Sequence, residues 1–298
     1  MKIEKPIDIL VRRRAALGDV IYTTGVVREL YNQYRGNARI TVQTDFPEVF
    51  TNNPFVHHVV SCDTGLTVSE FDIYHNLDNC YEYNPCNHYV DSYFYRVFGD
   101  NRHELIRDTE LHPTDADREA VDKDLEFIGD KFIAVHMRQW HWELKNIKQE
   151  VWFEIFEKVF TGRVDYKIVF VGGETDGSVE HPLMINTCGR YSPQELKCLL
   201  EHAACFVGID SGPYAIATTT KTPMVSLLSH MPPSTIIPIR TNGEGWNTKV
   251  VQASVDCVGC YERQQRPISQ IVCERGDYAC NSLWDTDKIS QAILGYLK

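Results

Sequence analysis

No run of apolar residues in this chain is long enough to cross a bilayer, and the N-terminal MKIEKPIDIL lacks the apolar core of an export signal. Those two absences make the cytoplasm the expected location. Basic residues are also scarce: 30 Lys and Arg face 41 Asp and Glu, a formal net charge of −11. Such a balance argues against nucleic acid as the main partner. With 43% hydrophobic and 24% charged residues, the composition is that of a soluble globular protein, and 298 residues allow two domains of ordinary size. Cysteine is not scarce. Ten are present, and without an export signal reduced thiols or metal ligands are expected over a disulfide framework.

Hydrophobic patterning divides the chain into two α/β halves. Ile7–Arg12 reads as a strand, followed by the turn Arg13-Arg14-Ala15-Ala16-Leu17-Gly18-Asp19. From Asp19 onward Val20, Ile21, Thr24, Val27 and Leu30 recur at helical spacing until Gly36. Residues 39–44, 56–61 and 71–77 read as further strands. The last leaves Asn76 and Asp78 at its C-terminal end, where open α/β sheets place ligands. The stretch 81–98 has no clear assignment. As a helix it would put His88, Tyr89, Asp91 and Tyr95 on one face, either to meet a ligand or as a polar seam between helices. A charged helix is expected from Asp115, with a boundary after it that gives domains 1–128 and 129–298. The order then restarts, with strands at 131–135, 166–171, 184–186, 205–209 and 224–228. Helices are expected at 151–160, from the capping box Ser192-Pro193-Gln194-Glu195 to about 203, and at 287–297.

The second half is organised around residues 205–223. An apolar run ends abruptly in Asp210-Ser211-Gly212-Pro213, and a helix is expected over 215–220. Backbone N–H groups converge at such a junction and the helix dipole adds positive charge, so phosphate is the natural guest. Ser211 and Gly212 let a ligand approach the backbone, and Asp210 suits a hydroxyl, a ribose or a charged neighbour. Alone the motif specifies little, because strand–turn–helix junctions occur throughout α/β proteins.

Combined with the first turn it specifies more. Ala16-Leu17-Gly18-Asp19-Val20-Ile21 with Thr23-Thr24, Asn53-Pro54-Phe55-Val56, Phe71-Asp72 and Asn76-Leu77 stand in the first half. Lys145 with Trp152, Gly172-Gly173 and Phe206-Val207-Gly208-Ile209-Asp210-Ser211-Gly212-Pro213 stand in the second. Over nearly its whole length the chain resembles the heptosyltransferase family of bacterial glycosyltransferases. The resemblance implies an α/β fold of GT-B architecture, two facing Rossmann-like domains with a central cleft. It implies inverting transfer of a heptose or related hexose from a nucleoside-diphosphate sugar, typically ADP-heptose. The acceptor is a glycan or glycolipid such as lipopolysaccharide core, reached at the inner face of the cytoplasmic membrane, and catalysis needs no cofactor.

By this resemblance Asp19 is the general base. A helix N-terminus keeps a carboxylate charged, ready to take a hydroxyl proton, although the same position also suits a plain N-cap. Lys145 corresponds to a phosphate-binding lysine, and Arg138 is a second cation for the diphosphate. Gly18, Gly173, Glu174, Asp210, Ser211, Gly212 and Tyr214 complete the expected donor pocket, with Glu174 or Asp176 touching the nucleoside. Asn76, His88 and Asp91 are the acceptor candidates. No Asp-x-Asp pair ends a strand, so metal-independent catalysis is expected. One departure matters. The family continues Asp-Ser/Thr-Gly-x-x-His, and here the final position is Ala215. That keeps open a second reading, a sugar-nucleotide-binding protein that has lost catalysis, while the retained Gly18-Asp19 favours the enzyme.

Cys257, Cys260, Cys273 and Cys280 form a separate signal. The pair Cys257-Val258-Gly259-Cys260 has the two-residue gap of a zinc knuckle; twelve residues then precede Cys273 and six more precede Cys280. A structural zinc, reduced thiols in a small satellite core, and disulfides in an oxidised sample all fit this spacing.

Overall fold

A computed structural model describes residues 5–82, 87–138, 142–239, 247–264, 266 and 270–298, with the backbone alone at 102. Four strands, β1 (Ile7–Arg12), β2 (Ala38–Gln43), β3 (His58–Val60) and β4 (Ile73–Asn76), make a parallel sheet of order β3-β2-β1-β4. Six more make a second parallel sheet: β5 (Phe132–Val135), β6 (Lys167–Phe170), β7 (Met184–Asn186), β8 (Phe206–Gly208), β9 (Met224–Leu228) and β10 (Thr248–Gln252), ordered β10-β9-β8-β5-β6-β7. The connecting helices are α1 (Leu17–Tyr22), α2 (Thr24–Gln33), α3 (Tyr89–Phe98), α4 (Asp115–Ile128), α5 (Gln149–Gly162), α6 (Pro193–His202), α7 (Gly212–Ala217), α8 (Pro233–Ile236), α9 (Cys260–Gln264) and α10 (Thr286–Leu294). None of them is long and apolar enough to cross a membrane.

The strands explain the topology. Phe132–Val135 and Met224–Leu228 are buried at every position, as a parallel sheet covered by helices on both faces requires. Trp152 of α5 is 1% exposed and stacks on Phe156 with ring centroids 5.7 Å apart, so this residue of the sequence signature anchors a helix in the core. The capping box opening α6 forms as expected: Glu195 N–H donates to Ser192 Oγ at 3.2 Å, and Ser192 N–H donates to Glu195 Oε2 at 2.8 Å.

Three differences from expectation have physical causes. The edge strand β10 escaped the sequence reading because TKVVQ is half-buried over most of its length and has no apolar run. Residues 89–98 are helical, with His88 as N-cap, although the tyrosine-rich composition carries no helix signal. The helix expected over 215–220 instead spans Gly212–Ala217. Ser211 caps it, and it ends where Thr218, Thr219 and Thr220 turn their hydroxyls back to the carbonyls of Ala215, Ile216 and Ala217.

Each sheet reverses its strand order once, between β1 and β4 and between β8 and β5. Ligands of open α/β sheets bind outside the carboxyl ends of strands at such points. The turns that leave β1 and β8 meet. A Cβ on Gly18 would lie 3.3 Å from Ala215 Cβ and 3.4 Å from the Ser211 carbonyl oxygen, and one on Gly212 would lie 3.0 Å from Leu17. Glycine at 18 and 212 is what lets α1 and α7 approach so closely.

Candidate functional site

Asp19 lies in the first turn of α1, 16% exposed, with three donors aimed at it. The backbone N–H of Ala16 donates to Oδ2 at 2.8 Å, and the hydroxyl of Tyr81 donates to Oδ1 at 2.6 Å. Arg13 Nη2 stands 2.9 Å from Oδ2. That guanidinium is only 3% exposed. It also donates to Glu82 Oε1 at 2.7 Å and the Leu77 carbonyl at 3.3 Å, and lies over the rings of Tyr81 and Tyr93. Burial works against its charge, yet Tyr93, Asp19, Tyr81 and Glu82 outweigh burial and raise its pKa. Burial holds the Glu82 carboxyl above its ordinary range, against the opposing pull of Arg13. Arg13, Tyr81 and Glu82 were not singled out from sequence. The available signal was an arginine run at the C-terminal end of an apolar strand, where one guanidinium must turn inward and find carboxylates.

The facing turn carries the second cluster. Lys145 Nζ, on the short turn Glu143–Lys145, stands 2.5 Å from Asp210 Oδ2, both side chains being about nine-tenths buried. The ammonium sits 5.6 Å from the Trp142 ring centroid. His230, just beyond β9, meets the same ring edge-on at 5.3 Å. It is 4% exposed, and neither ring nitrogen has a partner among the described residues. Burial first, then the charges of Lys145 and Arg138, hold its pKa well below the ordinary value, so the ring is neutral. Arg138 is half-buried within the field of Asp210 and Asp176. His136 Nε2 lies 3.0 Å from Asp176 Oδ2, which also accepts from the Gly173 N–H at 2.8 Å. Gly172 must be glycine there: its φ is +150°, and a Cβ would fall 2.4 Å from Asp176 Oδ2.

Gly18, Lys145, Asp210, Ser211 and Gly212 therefore gather where the two turns meet, and Arg138 lies within the field of Asp210. Ser211 Oγ is occupied in capping α7, accepting from the Tyr214 N–H. With α7 only six residues long, the cations carry more of the attraction for an anion than the helix dipole does. The remaining candidates have surroundings of their own. Tyr214 is fully buried and its hydroxyl pairs with Ser226 Oγ at 3.0 Å, so it belongs to the core beneath the turn. Glu174 is exposed, its stem packed over Gly189, while Asp176 is the carboxylate turned towards His136. The proposed ligand face of α3 is taken up internally. His88 bonds the Val90 N–H and the Ile237 carbonyl, and Asp91 pairs with Arg107 at 2.5 Å. Asn76 Oδ1 accepts from the Asp78 N–H and closes the turn after β4. Beside that turn lies an open depression of about 710 Å³ lined by Asp78, Cys80, Tyr95 and Arg96.

Cys257, Cys260, Cys273 and Cys280 are free thiols. Burial pushes Cys260 and Cys280 up to about 11, and the fields of Cys257 and Cys273 reach both. Among the described residues no three His, Cys, Asp or Glu side chains converge on a metal position. The cysteine turn is tied to the loop that carries His230: Gly259 N–H donates to the Ser229 carbonyl and Tyr261 N–H to the His230 carbonyl, at 3.1 and 3.0 Å.

A sequence model of glycosyltransferase family 9 (heptosyltransferase) matches residues 90–266. No curated protein matches the chain. Among solved structures it is similar to the glycosyl transferase family 9 protein from Veillonella parvula DSM 2008, with a TM-score of 0.74, 17% identity, and 99% of this chain and 98% of that one covered. It is also similar to the iron-containing dodecameric glycosyltransferase TibC from enterotoxigenic E. coli H10407 (TM-score 0.70, 14% identity, 99% and 77% covered). TibC is also known in complex with ADP-D-beta-D-heptose. A third similar structure is E. coli ADP-heptose lps heptosyltransferase II (TM-score 0.64, 12% identity, 97% and 99% covered). The shared architecture is GT-B, as the sequence led us to expect.

Proposed function

We propose that this chain, which belongs to glycosyltransferase family 9, the heptosyltransferases, moves a heptose or related sugar from a nucleoside diphosphate to a glycan acceptor, with inversion. One observation carries the reading. The Asp19 turn of the first sheet abuts the Asp210–Gly212 turn of the second, whose Asp210 pairs with Lys145 and lies in the field of Arg138. In the step, the acceptor oxygen bonds the anomeric carbon from the face opposite the diphosphate. The carbon–oxygen bond to the diphosphate breaks with its electron pair, and the hydroxyl proton passes to Asp19. Lys145 and Arg138 balance the charge that grows on the leaving diphosphate, which is how such a site works without a catalytic metal. ADP-heptose is the donor we favour, because TibC, of the same fold, binds it. The acceptor we favour is a lipopolysaccharide core or similar glycolipid, reached by a cytoplasmic protein that docks at the inner membrane face.

Asp19→Asn is the test. Loss of a general base typically lowers turnover about 10²- to 10⁴-fold, and donor affinity should stay within a few fold. Near-normal transfer by this variant would remove Asp19 from the role. The second reading, a sugar-nucleotide binder without catalysis, draws on Ala215 in place of the family histidine. Slow hydrolysis of ADP-heptose by the wild-type protein, absent in Asp19→Asn, decides for the enzyme.

A structural metal in the cysteine segment is a further part of the proposal. The fields of Cys257 and Cys273 reach both Cys260 and Cys280, and TibC is iron-containing. Binding would require them to converge and lose protons, which the raised pKa values of Cys260 and Cys280 oppose until a metal is present. Cys257, Cys260, Cys273 and Cys280 would hold the ion, zinc by the knuckle spacing, and it would brace the loop of Ser229 and His230 without entering the chemistry.

A further inference from the structure

We infer that Glu82 is a positioning residue for transfer: by sharing the Arg13 guanidinium with Asp19, it sets how firmly Arg13 holds the carboxylate that takes the acceptor's proton. The inference rests on the reading of Asp19 as general base and deepens it.

Both carboxylates bond the same nitrogen, Arg13 Nη2, at 2.7 Å from Glu82 Oε1 and 2.9 Å from Asp19 Oδ2. Arg13 is 3% exposed, so its charge is divided between two anions instead of being screened by water. Glu82 is itself held, its Oε2 accepting the Tyr81 N–H at 3.2 Å, while the Tyr81 hydroxyl returns to Asp19 Oδ1. An ionised carboxylate offers about four acceptor sites. Arg13 and the Ala16 N–H occupy those of Oδ2 and Tyr81 occupies one on Oδ1, which leaves a place on Oδ1 for the incoming hydroxyl. A buried guanidinium paired with Asp19 alone would hold that carboxylate with its whole charge. Glu82 removes part of that hold.

The other groups facing the pair do not compete. Tyr22 on α1, Cys80 and Tyr81 after β4, and Tyr89 and Tyr93 on α3 surround it, and burial pushes all five up, Cys80 to about 11. None carries charge at neutral pH. Asp210, whose field also reaches Tyr22 and Tyr89, is held by Lys145. Among the described residues Glu82 is the carboxylate that shares Arg13 with Asp19.

Glu82→Gln keeps the size and the acceptor for Arg13 while removing the charge. We expect the acid limb of kcat against pH to move down by about one unit. The plateau should fall about threefold, as a weaker base takes the proton less readily, with the donor KM unchanged. Glu82→Asp, which keeps the charge but draws it back, should give a smaller shift in the same direction, and it reads the effect even if Glu82→Gln loses its fold. A wild-type acid limb in whichever of the two folds overturns the inference. Asp19→Asn separates the two levels. If that variant turns over normally, the base reading itself fails. If it is inactive while the Glu82 variants keep the wild-type profile, only the role of Glu82 fails.

Discussion

Gly18 and Ala215 stand back to back where the two halves meet: a Cβ on the glycine would lie 3.3 Å from the alanine methyl, and Ala215 is fully buried. A larger side chain at 215 would therefore have to displace its neighbours. The same contact sets how closely the Asp19 turn approaches the Asp210 turn.

Restoring that histidine should harm the protein. Overpacking a closed site costs about 1–3 kcal/mol, so Ala215→His is expected to lower the melting temperature by several degrees without raising transfer. Calorimetric melting alongside a transfer assay checks this. A stable variant with increased turnover would mean that the contact yields and that the histidine was a functional loss.

Lys145→Ala should weaken binding of ADP by about 10- to 100-fold, the range expected for a lost charge-assisted hydrogen bond. Asp210→Ala should weaken it as well, since the carboxylate 2.5 Å away fixes the ammonium in place. Isothermal calorimetry with ADP measures both. EDTA should leave the wild-type affinity unchanged, and magnesium-dependent binding would contradict a site built from side-chain cations alone.

Metal analysis of protein purified under reducing conditions decides the state of the cysteine segment. One zinc per chain, lost in Cys260→Ser together with several degrees of melting temperature, supports the proposed ion, and its absence leaves the four cysteines as reduced thiols. Because the Gly259 and Tyr261 N–H groups hold the Ser229–His230 backbone, that variant should also loosen ADP binding modestly. A metal-free wild type, or turnover abolished in Cys260→Ser at an unchanged melting temperature, contradicts a purely structural ion.

What the sequence determined by itself is local and periodic. The apolar strands, the Ser192–Glu195 capping box and the small-residue turns after β1 and β8 all follow from short-range steric and hydrogen-bonding rules, and they put Asp19 and Asp210 in those turns without coordinates, whereas Lys145 was singled out only by the family resemblance. Strands buried on both faces are continuous apolar runs, so the two parallel sheets were legible too. What only the tertiary structure decided is which polar groups find each other across long separations. Arg13 could equally have pointed to water; burial beneath Tyr81 and Tyr93 obliged it to collect Asp19 and Glu82. The polar atoms of His88 and Asp91 were spent on Ile237 and Arg107, partners no periodicity announces. Tyr214 directly follows the Asp210–Pro213 turn yet enters the core, because a helical turn rotates each successive side chain by about 100°. A buried polar group must be paired wherever its partner happens to lie, and that search is made in three dimensions.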